Sequence, residues 1–140
     1  MTLTTAQTGS QAVLLVQRQL LLCGVDSAPM TTDYGIDLVA YDCEKRDCFT
    51  FQVKCRNHKR DGKYSWRTEK KGKENPAEVF ALVEGDDVWY LRRHEIDKYA
   101  IKRKTHTQVY FYEGGIRDRN KSASTFVKFK NFDGIRRLLS

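Results

Sequence analysis

The sequence predicts one α/β domain, a mixed β-sheet flanked by helices. Three observations carry this reading: an apolar stripe of helical period near the start, several short runs of period two joined by turn-like connectors, and a length of 140 residues that suits one core. Within residues 10–23, Val13, Val16, Leu20 and Cys23 recur at helical spacing, with Ser10 as the N-cap and Gly24 at the left-handed C-cap position. A loop holding Pro29 follows. Residues 36–41 and 49–54 alternate about the charged connector 44–47 and predict a β-hairpin. Residues 56–76 read as a basic loop, 79–83 and 88–91 as a second strand pair, and 93–100 as a short helix. Residues 109–112 and 125–129 read as strands, and Asp133 caps a last helix ending at Leu139.

Lys and Arg number 25 against 18 Asp and Glu, a net charge of +7 that favours polyanionic partners, nucleic acid first. The 31% of charged residues and the lack of any run near 18 apolar residues exclude a helical membrane protein. The start lacks the pattern of a signal peptide, so the expected compartment is the cytoplasm and the four cysteines are expected as thiols. Residues 56–76 concentrate the charge: Arg56, Lys59, Arg60, Lys63, Arg67, Lys70, Lys71 and Lys73 stand against three acids. They are candidate phosphate contacts, with Tyr64 and Trp66 placed for stacking. Lys128, Lys130, Arg136 and Arg137 are candidates to extend that surface.

The first hairpin carries the chemistry. With 44–47 as its loop, Cys43 opposes Cys48 and Asp37 opposes Lys54, with Gln52 diagonal to Asp37. Opposed residues share a face, so Asp37, Gln52 and Lys54 lie together, while Ile36, Leu38, Ala40, Phe49, Phe51 and Val53 form an apolar face that must be core. A carboxylate, an amide oxygen and a nearby backbone carbonyl are hard oxygen donors suited to Mg²⁺ or Mn²⁺. An adjacent amine suits an attacking water or charge developing on phosphorus. The plainer alternative is a cross-strand ion pair between Asp37 and Lys54 on a solvated face. Cys43, Cys48, Cys55 and His58 also match a zinc-ligand spacing. However, Cys48 and Cys55 lie about 23 Å apart along an extended strand, too far for one ion. His94 and His106 are isolated and receive no role.

The run Tyr34-Gly35-Ile36-Asp37-Leu38-Val39, a charged turn, then Phe51-Gln52-Val53-Lys54, all after a helix ending Leu-Cys-Gly-Val, resembles the PD-(D/E)XK nuclease superfamily. It is most similar to the branch with glutamine before x-K, found in group I intron-associated homing endonucleases, and more distantly to archaeal Holliday-junction resolvases. The resemblance spans about residues 9–91. It implies a restriction-endonuclease-like domain over residues 1–140 and a Mg²⁺- or Mn²⁺-dependent endonuclease hydrolysing DNA phosphodiester bonds. Asp37 is then the motif aspartate, Gln52 fills the Glu or Gln position, Lys54 is the catalytic lysine, and the Val53 carbonyl completes the metal shell. A site that cuts one strand further implies a homo-oligomer, dimer or higher. One departure is specific: residues 2–25 contain no glutamate where many relatives carry one, leaving Gln11 or Asp33 as accessory groups. With one carboxylate, the alternative is a catalytically degenerate DNA-binding protein on the same fold.

Overall fold

The computed structural model describes residues 2–32, 34–56, 62–113 and 119–140. Helix α1 (Thr5–Leu22) begins upstream of the expected Ser10 cap. Thr4 caps it, its hydroxyl accepting from the Gln7 N–H at 3.1 Å while the Gln7 side chain accepts from the Thr4 N–H at 2.9 Å. Gly24, at φ +79°, ends it as the sequence predicts. The Pro29 segment is not a loop but strand β1 (Val25–Pro29), antiparallel to β2 (Leu38–Asp42). Its proline sits at the end of an edge strand, where the missing N–H breaks no ladder bond.

Strand β3 (Asp47–Arg56) pairs antiparallel with β2 and parallel with β5 (Val79–Glu84), and β6 (Asp87–Arg92) closes the five-stranded sheet β1-β2-β3-β5-β6. The expected basic loop holds strand β4 (Lys63–Lys70). With β7 (Ile101–Lys102) and β8 (His106–Tyr112) it forms a second, three-stranded sheet in the order β4-β8-β7. Helix α2 (Arg93–Tyr99) lies where the sequence puts it. Residues 125–129, expected as a strand, instead end helix α3 (Ala123–Phe126) and form a 3₁₀ turn (Val127–Phe129). Phe126 and Phe129, three apart, thereby point into the same core. Helix α4 (Asn131–Leu139) completes the chain, with Asp133 inside its first turn bonded to Arg136 rather than capping it. Among the described residues, no helix is long and apolar enough to cross a membrane.

Two cores sandwich the larger sheet. Ala12, Val16 and Leu20 of α1 and Ile135 and Leu138 of α4 pack on Leu38, Ala40, Phe51, Val79, Ala81 and Val83. On the other face, Phe80, Leu82, Trp89 and Leu91 meet Trp66, Val109 and Phe111 of the smaller sheet, with Ile96, Phe126 and Phe129. Strand β5 sends alternate side chains into each core, and its first five residues are all buried.

A polar joint locks α1 to α4 and β6. The Asn131 side-chain oxygen accepts from Gln19 at 3.0 Å and from the Val88 N–H at 2.9 Å, and its amide donates to Asp87 at 3.0 Å. The Tyr90 hydroxyl donates to Gln19 at 2.9 Å, and Asn131 itself holds φ +52°. Asn131→Ala removes three bonds and strains the backbone, so urea denaturation should show a loss of about 2–4 kcal/mol. Asn131→Gly, free of that strain, should lose about 1 kcal/mol less.

Candidate functional site

The hairpin turns over residues 43–46, one position earlier than expected, and pairs Leu38 with Phe51 and Asp42 with Asp47. Asp37 therefore stands opposite Gln52 and diagonal to Lys54, the reverse of the predicted arrangement. Because every cross-strand partner moves by two positions, the faces keep their identity: Leu38, Ala40 and Phe51 are core, and Asp37, Gln52 and Lys54 share the other side.

Asp37 is pinned at the point where β2 ends. Its N–H donates to the Phe51 carbonyl at 2.8 Å, and its carbonyl accepts from the Met30 N–H at 3.0 Å. Beyond it, among the described residues, no strand pairs with β3 on that edge, and the Val53 N–H donates to the Asp37 carboxylate at 2.7 Å. In an extended strand a residue's N–H and C=O leave by the same edge, so the Val53 carbonyl is directed to the side that holds the Asp37 carboxylate.

Gln52 is 7% exposed, and its side-chain oxygen accepts from Asn75 at 3.2 Å. Asn75 is held in turn. Its N–H donates to Glu69 at 3.2 Å, its side-chain oxygen accepts from the Ala77 N–H at 2.9 Å, and the Arg93 guanidinium bonds both the Glu69 carboxylate and the Asn75 carbonyl. Arg93 lies 5.2 Å from the Phe80 ring centroid, so this network is anchored on the second core. Gly35, at φ +94°, lets the chain pass beneath it: a Cβ there would stand 2.9 Å from Pro76 and 3.1 Å from the Asn75 amide nitrogen.

Gly35, Gln52, Glu69, Asn75 and Pro76 border a cleft of about 1150 Å³ between the two sheets, whose lining does not include Asp37 or Arg93. The site face is thus not the open surface the hairpin alone suggests, because the connection from β3 to its parallel neighbour β5 runs through β4 and covers it. Gln52 and Lys54 line the cleft with Tyr34, Glu69 and Asn75, and Arg67, Lys70, Lys71 and Lys73 give it its positive charge. His106 also reaches it.

Other expected contacts lie elsewhere. Lys63 stands farther along β4, 4.7 Å from the Tyr110 ring centroid. Arg56 donates to the Ser65 carbonyl at 2.6 Å and ties β3 to β4. Trp66, 2% exposed, donates from its indole N–H to the Val83 carbonyl at 3.0 Å, and Tyr64 stacks on Phe111, so both belong to the core rather than to a stacking surface. Gln11 is exposed on α1, the helix packed on the opposite face of the sheet, and does not line the cleft. Lys130, Arg136 and Arg137 are engaged with Asp87, Asp133 and Glu95. Asp33, His58, Lys59 and Arg60 lie outside the described residues.

All four cysteines are free, with burial pushing the Cys55 thiol up and the Glu84 carboxylate adding to it. Among the described residues, no three His, Cys, Asp or Glu side chains gather as a metal cluster. Asn75 and Glu69 escaped the sequence reading, since Asn75-Pro76 signals a turn but not the residue to which that turn returns.

No family profile matches the chain, and no curated protein sequence matches it. Among solved structures it is similar to the bacterial homing endonuclease I-Ssp6803I, with a TM-score of 0.72 and 17% identity over 97% of this chain and 91% of that one. The chain therefore has the mixed-sheet fold of a bacterial homing endonuclease.

Proposed function

We propose that the chain is a DNA endonuclease whose site is built from Asp37, Gln52, Lys54 and the Val53 carbonyl. The observation that carries the reading is the bond from the Val53 N–H to the Asp37 carboxylate, which holds that carboxylate at the edge of β3, on the residue between Gln52 and Lys54. The likeness in fold to a homing endonuclease supports it.

The donor set fits a hard divalent cation, because the available groups are a carboxylate, an amide oxygen and a backbone carbonyl, with no thiolate or imidazole among them. Asp37, Gln52 and Val53 would hold Mg²⁺ or Mn²⁺, which when bound supplies Lewis-acid stabilisation of a phosphoryl oxygen. Asn75 holds the Gln52 oxygen in place, and Glu69 and Arg93 hold Asn75. Lys54 presents an ammonium to the same cleft, suited to orienting the attacking water and offsetting charge on the transition state. Lys70, Lys71 and Lys73 of the cleft receive the flanking phosphates. Cutting both strands requires two such sites, hence a symmetric assembly of at least two copies.

One observation favours a second reading, a DNA-binding protein without catalysis: among the described residues no three His, Cys, Asp or Glu side chains gather as a metal cluster, and α1 carries no acid in its first turn.

Calorimetry should detect Mn²⁺ binding to the native chain and none to Asp37→Ala; equal affinity in the two would remove Asp37 from the site. On supercoiled plasmids with randomised inserts in Mg²⁺ or Mn²⁺, Lys54→Ala should lower nicking about 10²-fold or more while DNA affinity stays within a few-fold. Wild-type protein that binds but never nicks selects the second reading. Asn75→Ala, which frees Gln52 without removing a ligand, should lower nicking about tenfold and raise the Mn²⁺ concentration needed for half-maximal rate.

A further inference from the structure

The smaller sheet has an outer face that meets the cleft at Arg67. Tyr64, Trp66, Val109 and Phe111 point into the second core. By alternation, Lys63, Ser65 and Arg67 of β4 point the other way, opposite Tyr112, Tyr110 and Gln108 of β8. Tyr110 is flanked by two cations, with the Lys63 ammonium 4.7 Å and the Lys121 ammonium 4.0 Å from its ring centroid. Gln108 bonds to Ser65 across the strands. Among the described residues, Lys63, Arg67 and Lys121 form no ion pair, whereas Arg93, Lys130, Arg136 and Arg137 all do.

Resting on the endonuclease reading, we propose that this outer face of β4 and β8 enters the major groove of duplex DNA, with Arg67 and Gln108 reading base edges while Lys63 and Lys121 hold phosphates. Charge selects a polyanion, and shape selects the duplex groove. Strand β7 pairs with Thr107 and Gln108, so among the described residues the sheet is a two-stranded ribbon from Val109 to Phe111, closed at its far end by the bridge of Tyr112 to Ser122, and such a ribbon has the width that a major groove of about 12 Å admits. Arg and Gln are the side chains that pair bidentately with guanine and adenine edges. Lys54 and Arg67 border the same cavity, so the reading surface is continuous with the catalytic cleft. From Arg67 to Lys63 the strand advances about 13 Å. That matches about four base pairs at 3.4 Å each, placed on one side of the cut.

The test is selection from a random-sequence 40-base-pair duplex pool, without cleavage, by wild type, Arg67→Ala, Arg67→Lys, Gln108→Ala and the double variant Lys63→Ala/Lys121→Ala. Wild type should enrich a defined sequence. Arg67→Ala and Gln108→Ala should each lose about tenfold or more of the discrimination within one block of about four positions, leaving the rest of the site unchanged. Arg67→Lys keeps the charge but not the planar fork, so it should keep affinity and lose the same preference. The lysine double variant should bind all sequences more weakly, with a log K against log salt slope shallower by about 1.8. If wild type binds the pool and every variant keeps its preference and slope, the face does not read DNA, and the endonuclease reading stands. If wild type binds no duplex, or binds only a random RNA pool, both readings fall.

Discussion

Strand β5 cannot be satisfied by one layer. Val79, Ala81 and Val83 demand cover on one face and Phe80 and Leu82 on the other, and each of the Val, Leu and Phe side chains is worth roughly 1.5–3 kcal/mol on full burial. Helices α1 and α4 cover the first face. The second requires apolar surface from somewhere else in the chain, and the parallel pairing of β3 with β5 supplies the route, since the connection between them must leave the sheet and return. That excursion is β4, which brings Trp66 into the same core as Phe80 and Leu82 and bonds its indole to the Val83 carbonyl of β5. The cleft is what remains where the two layers part, beyond the last pair of β2 with β3.

The charged residues divide according to this architecture. Arg93 joins Glu69 under the cleft, Arg137 meets the nearly buried Glu95, and Lys130 meets Asp87 beside the Asn131 joint, so these cations fasten one layer to another. Breaking such partly buried pairs leaves a carboxylate uncompensated, a larger loss than any solvent-exposed pair represents. Among the described residues, Lys54, Lys63, Arg67 and Lys121 form no such pair and lie around the cleft and the outer face of the second sheet.

The sequence reveals faces better than positions. The core side of the first hairpin is correct from Leu38 to Val53, Ile36 excepted, although its turn is displaced by one residue, because such a displacement moves each partner by two and alternation has a period of two. Asp37, Gln52 and Lys54 thus emerge together, but which pair is directly opposed does not. Strand β4 was hidden by its own chemistry: Tyr64 and Trp66 alternate with Lys63 and Arg67, a pattern that charge counting reads as a loop and only the second core explains. Thr125 to Phe129 fails for the opposite reason. Phe126 and Phe129 share a core with helical spacing, while the β-branched Thr125 and Val127 between them imitate a strand. Asn75 is invisible because its partner, Gln52, is fixed by tertiary return and not by any local signal.

The parallel pairing also orders events in time. The β2 and β3 hairpin closes across four residues, but Phe51 meets Val79 only 28 residues later in the chain. Closing that interval costs loop entropy that no neighbouring contact returns until β5 is seated. Asn75, at the end of the excursion, reaches Gln52 in the same step. During synthesis, then, a chain that has released β3 already carries the aspartate, glutamine and lysine, yet it has no cleft. The arrangement comes into being with the completed sheet, so a truncated or slowly folding chain exposes these residues without the geometry that gives them meaning.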